Sequence, residues 1–160
     1  MQYTYDAHGN VLTESDETAS RTYTYDSRGR KSGYALTIGD TEISTAAYAY
    51  DDVNRLISVT EGGVTTTYTY DANGNLASQT TGEVSVAYTY NDANLVTSLT
   101  NTLTNASGEA VIPSAFAYTY YADGNQRTKT ETLLGGDPVT TTYVYDGLGR
   151  LTSETKGEDR

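Results

Sequence analysis

Few residues in this 160-residue chain could carry chemistry. His8 is the single histidine, and it stands at a variable turn position filled elsewhere by Arg28, Val53 and Asn73. One imidazole in a chain without cysteine does not build a Ser/His/Asp relay or a two-histidine metal site. Asp71, Asn73 and Asn75 have the odd spacing of a calcium loop. An EF-hand loop also needs Gly at its sixth position and Glu at its twelfth, and Leu76 and Gly82 stand there. The carboxylate pairs Asp51-Asp52 and Glu158-Asp159 fit surface turns, whereas acid–base work needs a cleft that shifts a pKa. Asn105-Ala106-Ser107 spells a glycosylation sequon, which we read as coincidence. No catalytic residue, metal ligand or cofactor is expected.

What the chain does offer is one phrase, repeated. Tyr68-Thr69-Tyr70-Asp71-Ala72-Asn73-Gly74 is its clearest copy. The others are built on Tyr3, Tyr5, Asp6 and Gly9; on Tyr23, Tyr25, Asp26 and Gly29; and on Tyr48, Tyr50, Asp51 and Asn54. Further along come Tyr88, Tyr90 and Asn94; Tyr118, Tyr120 and Gly124; and Tyr143, Tyr145, Asp146 and Gly149. The second tyrosines are separated by 20, 25, 20, 20, 30 and 25 residues, which accommodates two strands and two turns per repeat. A fixed internal period of this length decides the architecture before any single residue does.

Each turn follows its Tyr-x-Tyr. Four residues after the second tyrosine stands Gly or Asn and nothing else, the residues that enter the left-handed region most cheaply. The Asp can cap the turn by accepting from backbone amides two residues on. A three-residue hairpin loop with a bulge is predicted. The repeats that carry Asn91 or Tyr121 in place of Asp are expected to have looser turns. In this register Tyr70 faces Leu76, and Tyr68 faces the small residue Ser78. The equivalent partners of the other first tyrosines are Thr13, Gly33, Ser58, Ser98, Thr128 and Ser153. Such partners would let each ring lie across the next strand. Period-two alternation sets both tyrosines on one face. The second turns vary: Gly62-Gly63, Gly82-Glu83, Gly39-Asp40, Asp16-Glu17, the Asn105–Glu109 stretch, and Gly135-Gly136-Asp137-Pro138. Pro113 and Pro138 are expected at strand ends.

Composition agrees with this pattern. Sixteen tyrosines accompany one Phe, one Met and no Trp, so the buried surface must be built from Tyr and Thr, both strand formers. A net charge of −11 argues against nucleic acid and anionic membrane as partners. No apolar run is long enough to span a bilayer, and Met1-Gln2 leads directly into a repeat without a signal peptide. The expectation is an all-β chain: tandem β-hairpins forming a curved antiparallel meander over residues 1–160. It has about seven repeats, cut from a longer array and part of a spiralling sheet. About fourteen strands cannot stay flat, and unpaired edges invite edge-to-edge self-association.

The pattern Tyr-x-Tyr-Asp-x-x-Gly-Arg/Asn-Leu resembles the YD repeat of the RHS family. Tyr145-Asp146-Gly147-Leu148-Gly149-Arg150-Leu151 and Tyr70-Asp71-Ala72-Asn73-Gly74-Asn75-Leu76 are its closest copies here. The resemblance implies a hollow shell that encloses a C-terminal toxin or cargo domain in bacterial toxins. The same repeats occur in wall-associated proteins and teneurins at cell surfaces. It implies a secreted or surface-displayed parent, with neighbouring repeats as partners, and no catalysis by the repeats themselves. Bacterial members often end the shell with a self-cleaving Asp-Pro segment. Asp137-Pro138 lacks the Gly-Leu that follows in the family and is read as a turn. A second reading treats exposed tyrosines as contacts for glycan or protein in an adhesive or self-assembling module.

Overall fold

A computed structural model describes residues 1–157; the Glu158-Asp159 pair lies outside the described residues. The described residues are all-β, with no helix. Fourteen strands follow one another in sequence order in one antiparallel sheet. The chain divides into two compact units within the seventh strand, Met1–Tyr68 and Thr69–Arg160.

The first unit holds β1 (Gln2–Tyr5), β2 (Val11–Ser15), β3 (Ala19–Tyr25), β4 (Lys31–Ile38), β5 (Thr41–Tyr50) and β6 (Leu56–Glu61). β7 (Val64–Tyr70) runs across the boundary. The second unit continues with β8 (Leu76–Thr81), β9 (Val84–Tyr90), β10 (Val96–Thr104), β11 (Ala110–Tyr120), β12 (Gln126–Leu133), β13 (Val139–Tyr145) and β14 (Leu151–Lys156). Extra residues in the longer repeats lengthen strands, as in the 9- and 11-residue β10 and β11. In each unit the motif tyrosines of the inner strands are half-buried, while the residue between them is exposed. That alternation is the signature of a sheet with one wetter face. Among the described residues only Ala46 and Thr141 are buried, at 7% and 8% exposure.

The left-handed expectation holds at all seven turns. Gly9, Gly29, Gly74, Gly124 and Gly149 have φ between 75° and 89°, and Asn54 and Asn94 have φ of 69° and 59°. The register differs from the expected one by a single residue. The second tyrosine faces its predicted partner (Tyr5 opposite Val11, Tyr90 opposite Val96), but the next pair is Thr4 opposite Thr13 and Thr89 opposite Ser98. The extra residue is Leu12 in the first repeat and Thr97 in the fifth, and the same shift recurs in the other hairpins whose pairing is described. A β-bulge of this kind sets two residues against one and steps everything beyond it to the other face. The small residues therefore face the middle Thr, Ala or Val of the motif, not the first tyrosine. They form hydroxyl pairs on the exposed face, such as Thr4 with Thr13 at 2.6 Å and Thr119 with Thr128 at 2.6 Å. The first tyrosines instead face Glu14, Tyr34, Val59, Leu99, Lys129 and Glu154.

Two further expectations are corrected. Pro113 lies inside β11, not at its end. The β10–β11 register shifts there, so its missing N–H falls at an irregularity, and its carbonyl accepts from the Leu134 amide at 2.9 Å. The turns at Asn91 and Tyr121 are as closed as the rest. The Asn91 and Tyr121 amides donate to Leu95 and Asn125 carbonyls at 3.0 and 2.9 Å, like Asp71 to Asn75 at 2.9 Å.

Candidate functional site: the repeat turn and its tyrosine

Five of the seven turns are small hydrogen-bonded cages around one carboxylate. Asp26 Oδ1 accepts from the Arg28 and Arg30 amides, both at 2.9 Å, and Oδ2 accepts from Arg30 Nε at 2.7 Å. Asp71 repeats this with the Asn73 and Asn75 amides and with Asn75 Nδ2 at 3.0 Å. Asp6, Asp51 and Asp146 do the same with Asn10, Arg55 and Arg150. The residue after the left-handed position is thus part of the motif: it must donate to the second carboxylate oxygen. Where the capping residue is Asn91, with no second carboxylate oxygen, that position is Leu95. In the Tyr121 turn, Asp123 takes over and accepts from Asn125 Nδ2 at 2.9 Å. These bonds favour the ionised form. The Asn75 amide side chain, then its backbone amide, holds the Asp71 carboxyl below its ordinary value; the Arg30 backbone amide, opposed by partial desolvation, does the same for Asp26.

The same cage recurs at a second turn. Asn105 accepts from the Ser107 and Glu109 amides at 3.0 and 2.9 Å, and Gly108 has φ of 81°. Here the polarity is reversed, since Asn105 Nδ2 donates to Glu109 Oε2 at 2.9 Å. The Asn-x-x-Gly-Glu spacing was the readable signal. The sequon asparagine is therefore a turn cap.

Neighbouring turns are tied along the rim. Arg30 Nη1 donates to the Asp51 carbonyl and to Asn54 Oδ1, each at 2.9 Å, and Asn75 Nδ2 donates to Asn94 Oδ1 at 2.8 Å. His8 lies in its turn, with its backbone amide bonded to Asp6 and its ring part of no described cluster.

The second tyrosine does something the sequence did not disclose. Between consecutive repeats, the described pairing stops at one constant position. It is Thr13 opposite Thr22, Gly33 opposite Ala47, and Ser58 opposite Thr67 in the first unit. In the second unit it is Ser78 opposite Ala87, Ser98 opposite Ala117, and Thr128 opposite Thr142. In all six, the residue four beyond the left-handed position faces the residue three before the next second tyrosine. Past that point the tyrosine hydroxyl takes over. Tyr25 donates to the Val11 carbonyl at 2.8 Å, Tyr50 to Lys31 at 2.9 Å, Tyr90 to Leu76 at 2.9 Å and Tyr120 to Val96 at 2.6 Å. At these four junctions the hydroxyl satisfies a carbonyl beyond the end of the described ladder. Cations cover some rings: Arg30 lies 4.7 Å from the Tyr50 ring centre and Lys31 4.4 Å from that of Tyr23.

Nothing in this geometry assembles a nucleophile with a base. An open groove runs between Tyr121, Asp123, Tyr145 and Asp146, where the Tyr121 and Tyr145 rings meet edge to face at 6.2 Å. Both carboxylates there belong to turn cages.

Comparison with known proteins agrees with the repeat. No curated protein sequence matches the chain. The RHS repeat family model matches residues 50–84. Among solved structures, that of TcdB2-TccC3-Cdc42 is similar with a TM-score of 0.76 at 23% identity, over 97% of this chain and 9% of that one. TcdB2-TccC3 gives 0.75 at 23% identity with the same coverage. TcdB2-TccC3 without its hypervariable C-terminal region gives 0.56 at 20% identity, over 94% and 10%. The likeness is one of fold, and this chain spans about a tenth of the length of those chains. The family match covers one stretch, residues 50–84, where the chain resembles an RHS repeat, and the turn found there recurs at all seven positions.

Proposed function

We propose that this chain is a non-catalytic scaffold: a run of RHS repeats that extends one continuous sheet and, in its parent protein, forms part of a shell around a C-terminal toxin or cargo domain. The observation that carries this reading is the constancy of the six described junctions. A sheet whose strands always join in one register can be lengthened repeat by repeat, as a wall must be. The partners in this reading are the neighbouring repeats and the enclosed domain. The parent would be secreted or carried at the cell surface.

The alternative, a glycan- or protein-binding module, needs rings open to a ligand. The inner motif tyrosines are half-buried, and four of their hydroxyls are committed to carbonyls. This supports the scaffold reading over adhesion.

Limited proteolysis of the natural full-length protein tests the proposal. A domain enclosed by the repeats should resist cleavage until denaturant unfolds the sheet. Cleavage at the same rate with the sheet folded would refute enclosure.

A further inference from the structure

Two arginines cross the rim between the second and third turns. Arg28 Nη1 donates to the Asp52 carbonyl at 2.7 Å, and its Nη2 to Asp52 Oδ1 at 3.1 Å. Arg30 Nη1 donates to the Asp51 carbonyl at 2.9 Å, with its guanidinium 4.7 Å from the Tyr50 ring centre. The rim there is a seat for a guanidinium: a ring to lie over, and the carbonyl of the next residue to donate to.

The same seat recurs between the sixth and seventh turns without the arginines. Tyr145 and Asp146 hold the places of Tyr50 and Asp51, but the residues equivalent to Arg28 and Arg30 are Asp123 and Asn125. Asn125 Nδ2 turns back to Asp123 Oδ2 at 2.9 Å and makes no described bond to the seventh turn. An open groove of about 440 Å³ results, with Tyr121, Asp123, Tyr145 and Asp146 in its walls. The Tyr121 hydroxyl donates to the Tyr143 carbonyl at 3.1 Å, which fixes that ring edge to face against Tyr145. Arg127 lies 5.8 Å from the Tyr121 ring centre but does not line the groove. Among the described residues the Tyr145 hydroxyl has no hydrogen-bond partner, unlike those of Tyr25, Tyr50, Tyr90 and Tyr120. The Asp146 carbonyl accepts from the Gly149 amide at 3.0 Å, just as the Asp51 carbonyl accepts from Asn54 at 3.2 Å and still takes Arg30. Gly149 offers no oxygen where Arg30 also reaches Asn54 Oδ1, and the Asp123 carboxylate in the groove wall supplies one instead.

We infer that this groove takes an arginine side chain from a partner segment. Its guanidinium lies over Tyr145, donates to the Asp146 carbonyl and faces the Asp123 carboxylate. Charge favours this occupant, since two carboxylates line the groove and the whole chain carries −11. Arginine fits better than lysine because a planar guanidinium stacks on a ring and donates in its own plane at once. The inference adds a docking point to the rim of the scaffold and does not depend on what the sheet encloses.

NMR titration of the isotope-labelled full chain with acetyl-Gly-Arg-Gly-amide tests it. Amide shifts should centre on residues 121–125 and 145–149 and shrink as salt rises. The same peptide with citrulline, which keeps the shape and loses the charge, should bind about fivefold more weakly, the weight of a cation–π contact at a partly exposed site. Asn125→Arg should fill the groove from within and abolish the shifts; the turn accepts Arg at that position, as Arg30, Arg55 and Arg150 show. Asp123→Asn keeps an acceptor for the Asn125 amide and should weaken binding and its salt dependence together. Shifts spread over the whole sheet, equal binding of the arginine and citrulline peptides, undiminished binding to Asn125→Arg, or no shift at millimolar peptide would each overturn the inference.

Discussion

The Tyr90 hydroxyl donates to the Leu76 carbonyl across the junction between two repeats, at 2.9 Å. The described ladder there ends at Ser78 opposite Ala87, so this one side chain holds the strands together where the backbone bonds stop. The same relationship recurs at Tyr25, Tyr50 and Tyr120. Replacing Tyr90 by Phe keeps the ring and removes the donor. Urea unfolding should show a loss of about 1 kcal/mol, more if the carbonyl is left dry. Tyr88→Phe, whose hydroxyl donates to no described group, should cost less. Equal losses for the two would remove the hydroxyl from the account.

At Gly29 the cost of a side chain is conformational. Its φ is +75° and a Cβ there would meet nothing within 4 Å. Gly29→Val should therefore cost about 1–2 kcal/mol through left-handed strain alone. Gly29→Asn should be nearly tolerated, since Asn54 and Asn94 hold the same conformation. Thermal denaturation of the two variants compares them directly, and an equal loss would mean space, not φ, selects the residue.

Gly33 answers to the opposite constraint. A Cβ there would lie 2.5 Å from Thr24 Oγ1. Gly33→Ala should destabilise by about 1–3 kcal/mol through overpacking, and adding Thr24→Ala should restore most of it. A double-mutant cycle in urea measures the coupling; additivity would contradict the bulged register that brings these residues together.

Acid should loosen the turns. Asp26, Asp71 and Asp146 are held below the ordinary value of 3.8, by the Arg30 amide, the Asn75 side-chain amide and the Arg150 amide respectively. A depressed carboxyl contributes stability that is present above its unfolded pKa and lost as pH falls through the folded one. The melting temperature should hold steady down to roughly pH 4 and then fall. Asp26→Asn, which imitates the Asn91 turn, should flatten part of that decline. A profile unchanged by the substitution would mean the Asp26 cage does not couple to folding.

The turn was legible because backbone conformation leaves a mark on residue type: only Gly or Asn occupies Gly9, Asn54 and their equivalents. The strand count followed from the spacing. The first tyrosine's partner was misread because the bulge at Leu12 and its equivalents has no fixed residue: Leu12, Ser32, Ile57, Thr97, Arg127 and Thr152 share no chemistry. A bulge costs the ladder one pairing and can be made by any side chain, so composition is silent about it. The Tyr–carbonyl bridge was hidden for another reason. It joins residues 14 to 24 apart, a separation that follows the repeat length, but its acceptor is a backbone carbonyl, which leaves no mark on residue type. The exchange of Asp with Asn91, and of Arg or Asn with Leu95, was readable in principle, since a neutral cap needs no donor for a second carboxylate oxygen.

The central claim is that the caged turn dictates one register at every junction, so that repeats add to a single sheet. Disulfide capture within the chain tests it most directly. Ser78→Cys with Ala87→Cys sets thiols directly opposite, within the reach of a disulfide, and should oxidise quickly and raise the melting temperature. Gln79→Cys with Ala87→Cys sets them on opposite faces and should stay reduced. Equal oxidation of the two pairs, or preference for the second, would contradict it.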